Sequence, residues 1–205
     1  MIIREALVKC PFVAILRGIL PNNALPVAEV LIECGFQIIE IPLNSPNPYE
    51  SINNISTKFG ENILVGAGTV FQIDEVELVK SAGGKIIVSP NVNCEVIHRS
   101  KLLNLISIPG ATTPSEVISA IQAGADAIKL FPAEILPPIA IKALRAIIPN
   151  DTILLPVGGI STDKQISAYL SAGANGFGLG SALFKPGKKL SDIKKSAKTF
   201  INSIK

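Results

Sequence analysis

A chain of 205 residues that is 48% hydrophobic, 17% charged and 5% aromatic has the composition of one aliphatic globular domain, residues 1–205, and not of a disordered segment. Nineteen Lys and Arg against sixteen Asp and Glu leave a formal charge of +3, with no dense basic stripe or aromatic platform to bind nucleic acid. No stretch reaches the roughly 18 uninterrupted apolar residues of a membrane span, so no membrane partner is expected; Arg4 and Glu5 break any secretion signal, and the expected location is cytoplasmic.

After a starting helix at 2–9, short apolar runs alternate with amphipathic segments. The runs read as strands at 12–17, 38–43, 63–65, 85–88, 105–108, 127–130, 153–157 and 176–180. Helical patterns lie between them at 23–34, 49–59, 74–81, 94–102, 114–123, 139–148 and 163–172. Many of these end in Gly (Gly35, Gly60, Gly83, Gly124, Gly173), and Thr113-Pro114-Ser115-Glu116 and Ser161-Thr162-Asp163 read as helix starts. A last segment rich in lysine, 185–198, carries Leu190, Ile193, Ala197 and Ile201 at helical spacing and reads as a helix with a solvated basic face.

Eight strands, each followed by room for a helix, predict an α/β fold: a single-domain (β/α)8 TIM barrel with an N-terminal helix. A doubly wound open sheet is the alternative. In a barrel the strand C-termini form the site by construction. In the first strand Arg17 lies two residues beyond Ile15, on the same face. In the second, Ile39, Ile41 and Leu43 share one face and leave Glu40 on the other with Ile38 and Pro42. A carboxylate there is costly unless paired, hydrated or functional, and an ion pair with Arg17 would account for both residues as readily as chemistry would. The third strand runs into Gly66-Ala67-Gly68-Thr69 and the fourth into Ser89-Pro90-Asn91, each of which would also serve as an ordinary turn.

The sixth strand carries Lys129. Ile128 and Leu130 share one face and Ala127, Lys129 and Phe131 the other, so packing of the first pair on helices turns Lys129 into the enclosed face. Burial disfavours the ammonium, and a lysine held partly neutral is a nucleophile for carbonyls; a lysine snorkelling to water from a strand end is the structural alternative. The last two strands end in Val157-Gly158-Gly159 and in Gly178-Leu179-Gly180-Ser181, where glycines let backbone amides approach a phosphate at the start of a short helix. These glycines do not make a dinucleotide fingerprint. His98 is the single histidine, expected at a helix surface, and nothing clusters with metal-ligand spacing, so no metal and no cofactor is expected. Cys10, Cys34 and Cys94 read as small buried thiols in a reducing compartment. A lysine, a carboxylate, an arginine and a phosphate cradle together suggest Schiff-base chemistry on a phosphorylated keto acid.

The segments 13–18, 40–46, 66–70, 88–91, 129–133 and 157–159 resemble, in order and over nearly the whole chain, the class I aldolases that cleave 2-keto-3-deoxy-6-phosphogluconate and related compounds. The resemblance implies a homotrimer of (β/α)8 barrels, with Lys129 as Schiff-base lysine, Glu40 as general acid/base and Arg17 as a helper. It also implies Thr69 and Pro90 at the pyruvate end and Gly158, Gly159, Gly180 and Ser181 at the phosphate. Asn44 stands where gluconate-type members usually carry an arginine, and Val157 where they commonly have threonine. Both look instead like members acting on the C4-epimeric galactonate compound, and Val157 is read as a substrate-binding residue near C4. Gluconate-type cleavage, or that of 4-hydroxy-2-oxoglutarate, is the alternative activity. A phosphosugar-binding barrel without turnover would keep the glycines without needing Lys129.

Overall fold

The structure, a computed structural model, describes residues 2–204. Helix α1 (Ile3–Lys9) leads into strand β1 (Phe12–Ile15), followed by α2 (Pro21–Glu33), β2 (Ile38–Pro42), α3 (Pro48–Phe59), β3 (Leu64–Gly68), α4 (Ile73–Ser81) and β4 (Ile86–Val88). Then come α5 (Cys94–Leu102), β5 (Ile106–Ile108), β6 (Gly110–Ala111), α6 (Pro114–Gln122) and β7 (Ile128–Leu130). A 3-10 turn (Ala133–Ile135), α7 (Pro138–Arg145), β8 (Leu154–Pro156), α8 (Asp163–Ser171), β9 (Phe177–Leu179) and α9 (Leu190–Asn202) complete the order. The predicted helix starts form as capping boxes: Thr113 accepts from the amide of Glu116, whose carboxylate accepts from the amides of Thr112 and Thr113, and Thr162 pairs with Gln165 likewise.

All strand pairs are parallel, in the orders β5-β4-β3-β2-β1-β9 and β6-β7-β8. Strands β5 and β6 are one run interrupted at Pro109, which has no amide to give to a ladder. The carbonyls of Ser107 and Pro109 still accept from the amides of Asp126 and Lys129 at 2.9 Å each. On the other side, a single bridge joins Val157 to Gly178, and the amide of Asn175 donates to Leu154 at 2.9 Å. The result is an α/β fold whose parallel sheet curls on itself.

Two hydrophobic clusters follow from the period-2 alternation. Ile39, Ile41, Ile128, Leu130 and Leu154 face outward and pack with the helices. Val13, Ile38, Leu64, Ala127, Ile153 and Leu155 face inward, and Ile3, Ala6 and Leu7 of α1 pack onto this inner cluster among the residues that begin the strands. The site residues therefore sit in a well with one end filled by apolar side chains.

Four expectations need correction. The first strand stops at Ile15, and Arg17 lies in the turn beyond it, where Gly18 adopts φ +79° and Ile19 N bonds to Leu16 O. Residues 181–183 form a turn rather than a short helix, closed by the amides of Leu183 and Phe184 on the carbonyl of Gly180. Helix α9 begins at Leu190, so Lys185 is outside it; its buried stripe is Ile193, Ala197 and Phe200, and Leu190 is exposed. Of the cysteines only Cys10 is buried. Cys34 is half-buried, and Cys94 is exposed because the buried stripe of α5 is Val96, Ile97 and Ser100; His98, on the same helix, is exposed as expected.

Candidate active site

Alternation in β7 puts Ile128 and Leu130, both fully buried, against the helices and turns Lys129 inward, where it is 5% exposed. Glu40 is turned inward by the same rule in β2 and is 1% exposed. The two face one small enclosed space, walled by Val13, Ile15, Val88, Ile108 and Val157. Gly68 makes room for the carboxylate: a methyl group there would overlap the carboxyl oxygens of Glu40.

The electrostatics are those of two groups that do not want to be charged. Burial pushes the Glu40 carboxyl up to about 7, against the pull of Lys129 and Arg17, which favour the carboxylate. Glu40 Oε2 is buried without a hydrogen-bond partner. Burial lowers the pKa of Lys129; Glu40 opposes this and Arg17 adds to it. The ammonium nitrogen also lies 4.6 Å from the ring centroid of Phe131, a contact that favours the charged form. The structural alternative for Arg17 and Glu40 does not hold, since no ion pair within 4.0 Å joins them.

Arg17 instead donates to Asn44 Oδ1 at 2.6 Å and reaches Thr69 Oγ1 at 3.5 Å. The neighbouring residues repeat the link, as Gly18 N donates to Ser45 Oγ at 2.9 Å. Thr69 has φ +60°, a left-handed conformation that costs a β-branched residue on the order of 1–3 kcal/mol. Hydrogen bonds on either side, Leu43 N to Gly68 O and Val70 N to Val88 O, hold it there.

Above the enclosed space opens a cleft of about 660 Å³. Arg17, Lys129, Val157, Gly158, Gly159, Gly180 and Ser181, all singled out in the sequence, line it together. Glu40 joins them through the space below, and Thr69 through Arg17. Pro90 lines neither space; its carbonyl backs onto Gly110, where a methyl group would come within 2.5 Å of it. Gly158 and Gly159 have φ +110° and +64°, and the side chain of Glu134 fills the volume their side chains would need. Sequence reasoning missed Glu134 and Lys185 in the cleft wall. Glu134 follows directly on the lysine strand, a signal that was there to read; Lys185 had none, being one lysine in a basic segment.

Among the described residues no group of three or more His, Cys, Asp and Glu is arranged to hold a metal ion, and no helix is long and apolar enough to cross a membrane.

The family model "Aldolase: KDPG and KHG aldolase" matches residues 3–198. A protein of Rhizobium meliloti named "Probable 2-dehydro-3-deoxy-6-phosphogalactonate aldolase" is 43% identical over 187 residues, 91% of this chain and 88% of that one. The "2-dehydro-3-deoxy-6-phosphogalactonate aldolase" of Escherichia coli K12 is 39% identical over 197 residues, 96% of each chain. A solved structure described as "Native KDPGal structure" superposes with a TM-score of 0.93 at 38% identity, covering 96% of this chain and 95% of its own.

Proposed function

The chain belongs to the KDPG and KHG aldolase family, and from that premise we propose that it cleaves 2-dehydro-3-deoxy-6-phosphogalactonate to pyruvate and D-glyceraldehyde 3-phosphate. The observation that carries the reading is the buried Lys129, its pKa lowered by burial, sharing an enclosed space with a Glu40 carboxyl that burial raises to about 7.

In the mechanism we assign, the neutral amine of Lys129 attacks the C2 carbonyl, and the carbinolamine loses water to give an iminium ion. The Glu40 carboxylate takes the proton of the C4 hydroxyl, the C3–C4 bond breaks, and its electron pair passes through C3 to the iminium nitrogen. The aldehyde leaves and an enamine remains. Glu40 returns its proton to C3, and water then hydrolyses the iminium to pyruvate and free lysine. A carboxyl titrating near neutrality suits both halves of this cycle, because base and acid forms are both accessible. Arg17, held by Asn44 and within reach of Thr69, offers a guanidinium to the substrate carboxylate; Val157 presents methyl groups rather than a hydroxyl toward C4. Gly158, Gly159, Gly180 and Ser181 receive the phosphate.

We further read the curled sheet as a closed eight-stranded barrel within one domain. The hydrogen bonds to Ser107 and Pro109 that span the interruption at Pro109, and the Val157–Gly178 bridge, support this closure. We read the chain as a homotrimer; exposed Ile135, Ile139 and Ile147, beside an apolar groove lined by Pro114, Leu136, Ala140 and Leu144, offer a face for association between copies. Free thiols at all three cysteines agree with a cytoplasmic location.

Treatment with pyruvate and borohydride tests the chemistry. A lactyl-sized mass gain on Lys129, absent in Lys129→Ala, supports the aldolase; an unlabelled protein that still binds phosphosugars would sink it.

A further inference from the structure

The phosphate seat leaves a charge without an answer. A substrate phosphate carries close to two negative charges at neutral pH, and at Gly158 and Gly159 it meets the side chain of Glu134, a carboxylate, packed over both glycines. The turn at 181–183 supplies no helix dipole. The nearest helix start, that of α8, has the amides of Ser161 and Thr162 already donated to Gln165 Oε1 at 3.0 and 3.1 Å. Neutralisation therefore falls to a side chain.

Three cations line the cleft. Lys129 is the nucleophile of the reading above and Arg17 is tied to Asn44 and Thr69. The third is Lys185, whose side chain has no hydrogen bond or ion pair among the described residues. Its backbone, by contrast, is fixed on both sides. Phe184 is buried, and Pro186 lies over Gly18 so closely that a methyl group on Gly18 would come within 2.8 Å of it. Lys188 N donates to the Lys185 carbonyl at 3.1 Å, while Lys188 Nζ staples the turn to α9 through Leu183 O at 2.9 Å and Ser196 Oγ at 2.8 Å. An exposed ammonium on an anchored backbone, in the cleft wall that also holds Gly180 and Ser181, is placed to meet an anion at little ordering cost.

We propose that Lys185 is a phosphate-binding residue of this cleft, contacting the terminal phosphate of the substrate and offsetting Glu134. The proposal rests on the phosphorylated-substrate reading above. Steady-state kinetics of wild type, Lys185→Ala and Lys185→Arg would be compared on 2-dehydro-3-deoxy-6-phosphogalactonate and on the same compound without its phosphate, at low and high salt. Lys185→Ala should raise KM for the phosphorylated compound roughly three- to tenfold more than for the unphosphorylated one, between the effects of a rim ion pair and a charge-assisted hydrogen bond. The excess should shrink with salt, and Lys185→Arg should restore most of it. Calorimetric binding of inorganic phosphate should weaken by a similar factor in Lys185→Ala. Equal losses on both compounds, or phosphate binding unchanged, would overturn the proposal. Because the calorimetry needs no turnover, and pyruvate labelling of Lys129 reports the aldolase chemistry separately, failure of Lys185 and failure of the assigned reaction are distinguishable.

Discussion

Glu40→Gln removes a charge from the inner core while keeping nearly the same shape. Burial raises this carboxyl from an ordinary 4.5 to about 7. Between those values the native protein keeps a proton that the unfolded chain has released, so Glu40 weakens the fold as pH rises. The stability it permits is full below 4.5 and falls through the interval up to about 7, at ~1.4 kcal/mol per pH unit, which amounts to about 3 kcal/mol. Glutamine does not titrate and escapes this loss. The gap in unfolding free energy, Glu40→Gln minus wild type, should therefore widen by about 3 kcal/mol between pH 4.5 and 7.5 and then level off. Taking the carboxylate away also removes the neighbour that raises the pKa of Lys129. Because Glu40 is protonated below about 7, that loss is felt only where the carboxylate has formed, so the widening below pH 7 stands without it. Urea unfolding at half-unit pH intervals measures the gap. Parallel curves for the two proteins across this range would refute the buried-carboxyl reasoning. The same titration has a kinetic face: kcat/KM for cleavage should rise through about pH 7 as the Glu40 carboxylate forms, and turnover by Glu40→Gln should be slowed at every pH.

Lys129→Met replaces a buried ammonium by an apolar chain of similar length. Turnover and borohydride labelling should vanish while thermal unfolding at pH 7 shows no loss of stability and a gain of up to about 2 kcal/mol; destabilisation would mean that the lysine is better solvated than its 5% exposure implies. Gly178→Ala would bring a methyl group to 2.6 Å from Val157 Cγ2, an overpacking worth about 1–3 kcal/mol, and Val157→Ala in the same chain should recover much of it. Additive losses in that double-mutant cycle would count against close contact at the bridge. Val157→Thr offers a hydroxyl near C4 and should move the ratio of kcat/KM values toward the gluconate epimer by up to about tenfold. An unchanged ratio would show that this position does not choose the epimer.

Strand and helix order, the inward face of β7 and the carboxylate set in β2 were legible because each depends on a local periodicity of the chain. Ile128 and Leu130 being apolar on one side is enough to aim Lys129 the other way, and the same holds for Glu40 between Ile39 and Ile41. The glycines after β8 and β9 were likewise readable as a place for close backbone approach. What those glycines meet was not. That Glu134 fills the space over Gly158, that the hydroxyl of Ser45 holds Gly18, and that Pro186 pins the loop carrying Lys185 are contacts between residues from different strand ends, invisible to any pattern along the chain. The same is true of charge. A sequence states that Glu40 and Lys129 are ionisable, but their protonation depends on how much water and how many opposing charges the curled sheet leaves around them. Local pattern thus determined which residues point inward; only the curling of the sheet, which sums burial and Coulomb terms over strands far apart in sequence, decided that Arg17 turns to Asn44 rather than to Glu40 and that the carboxyl is left to titrate near neutrality.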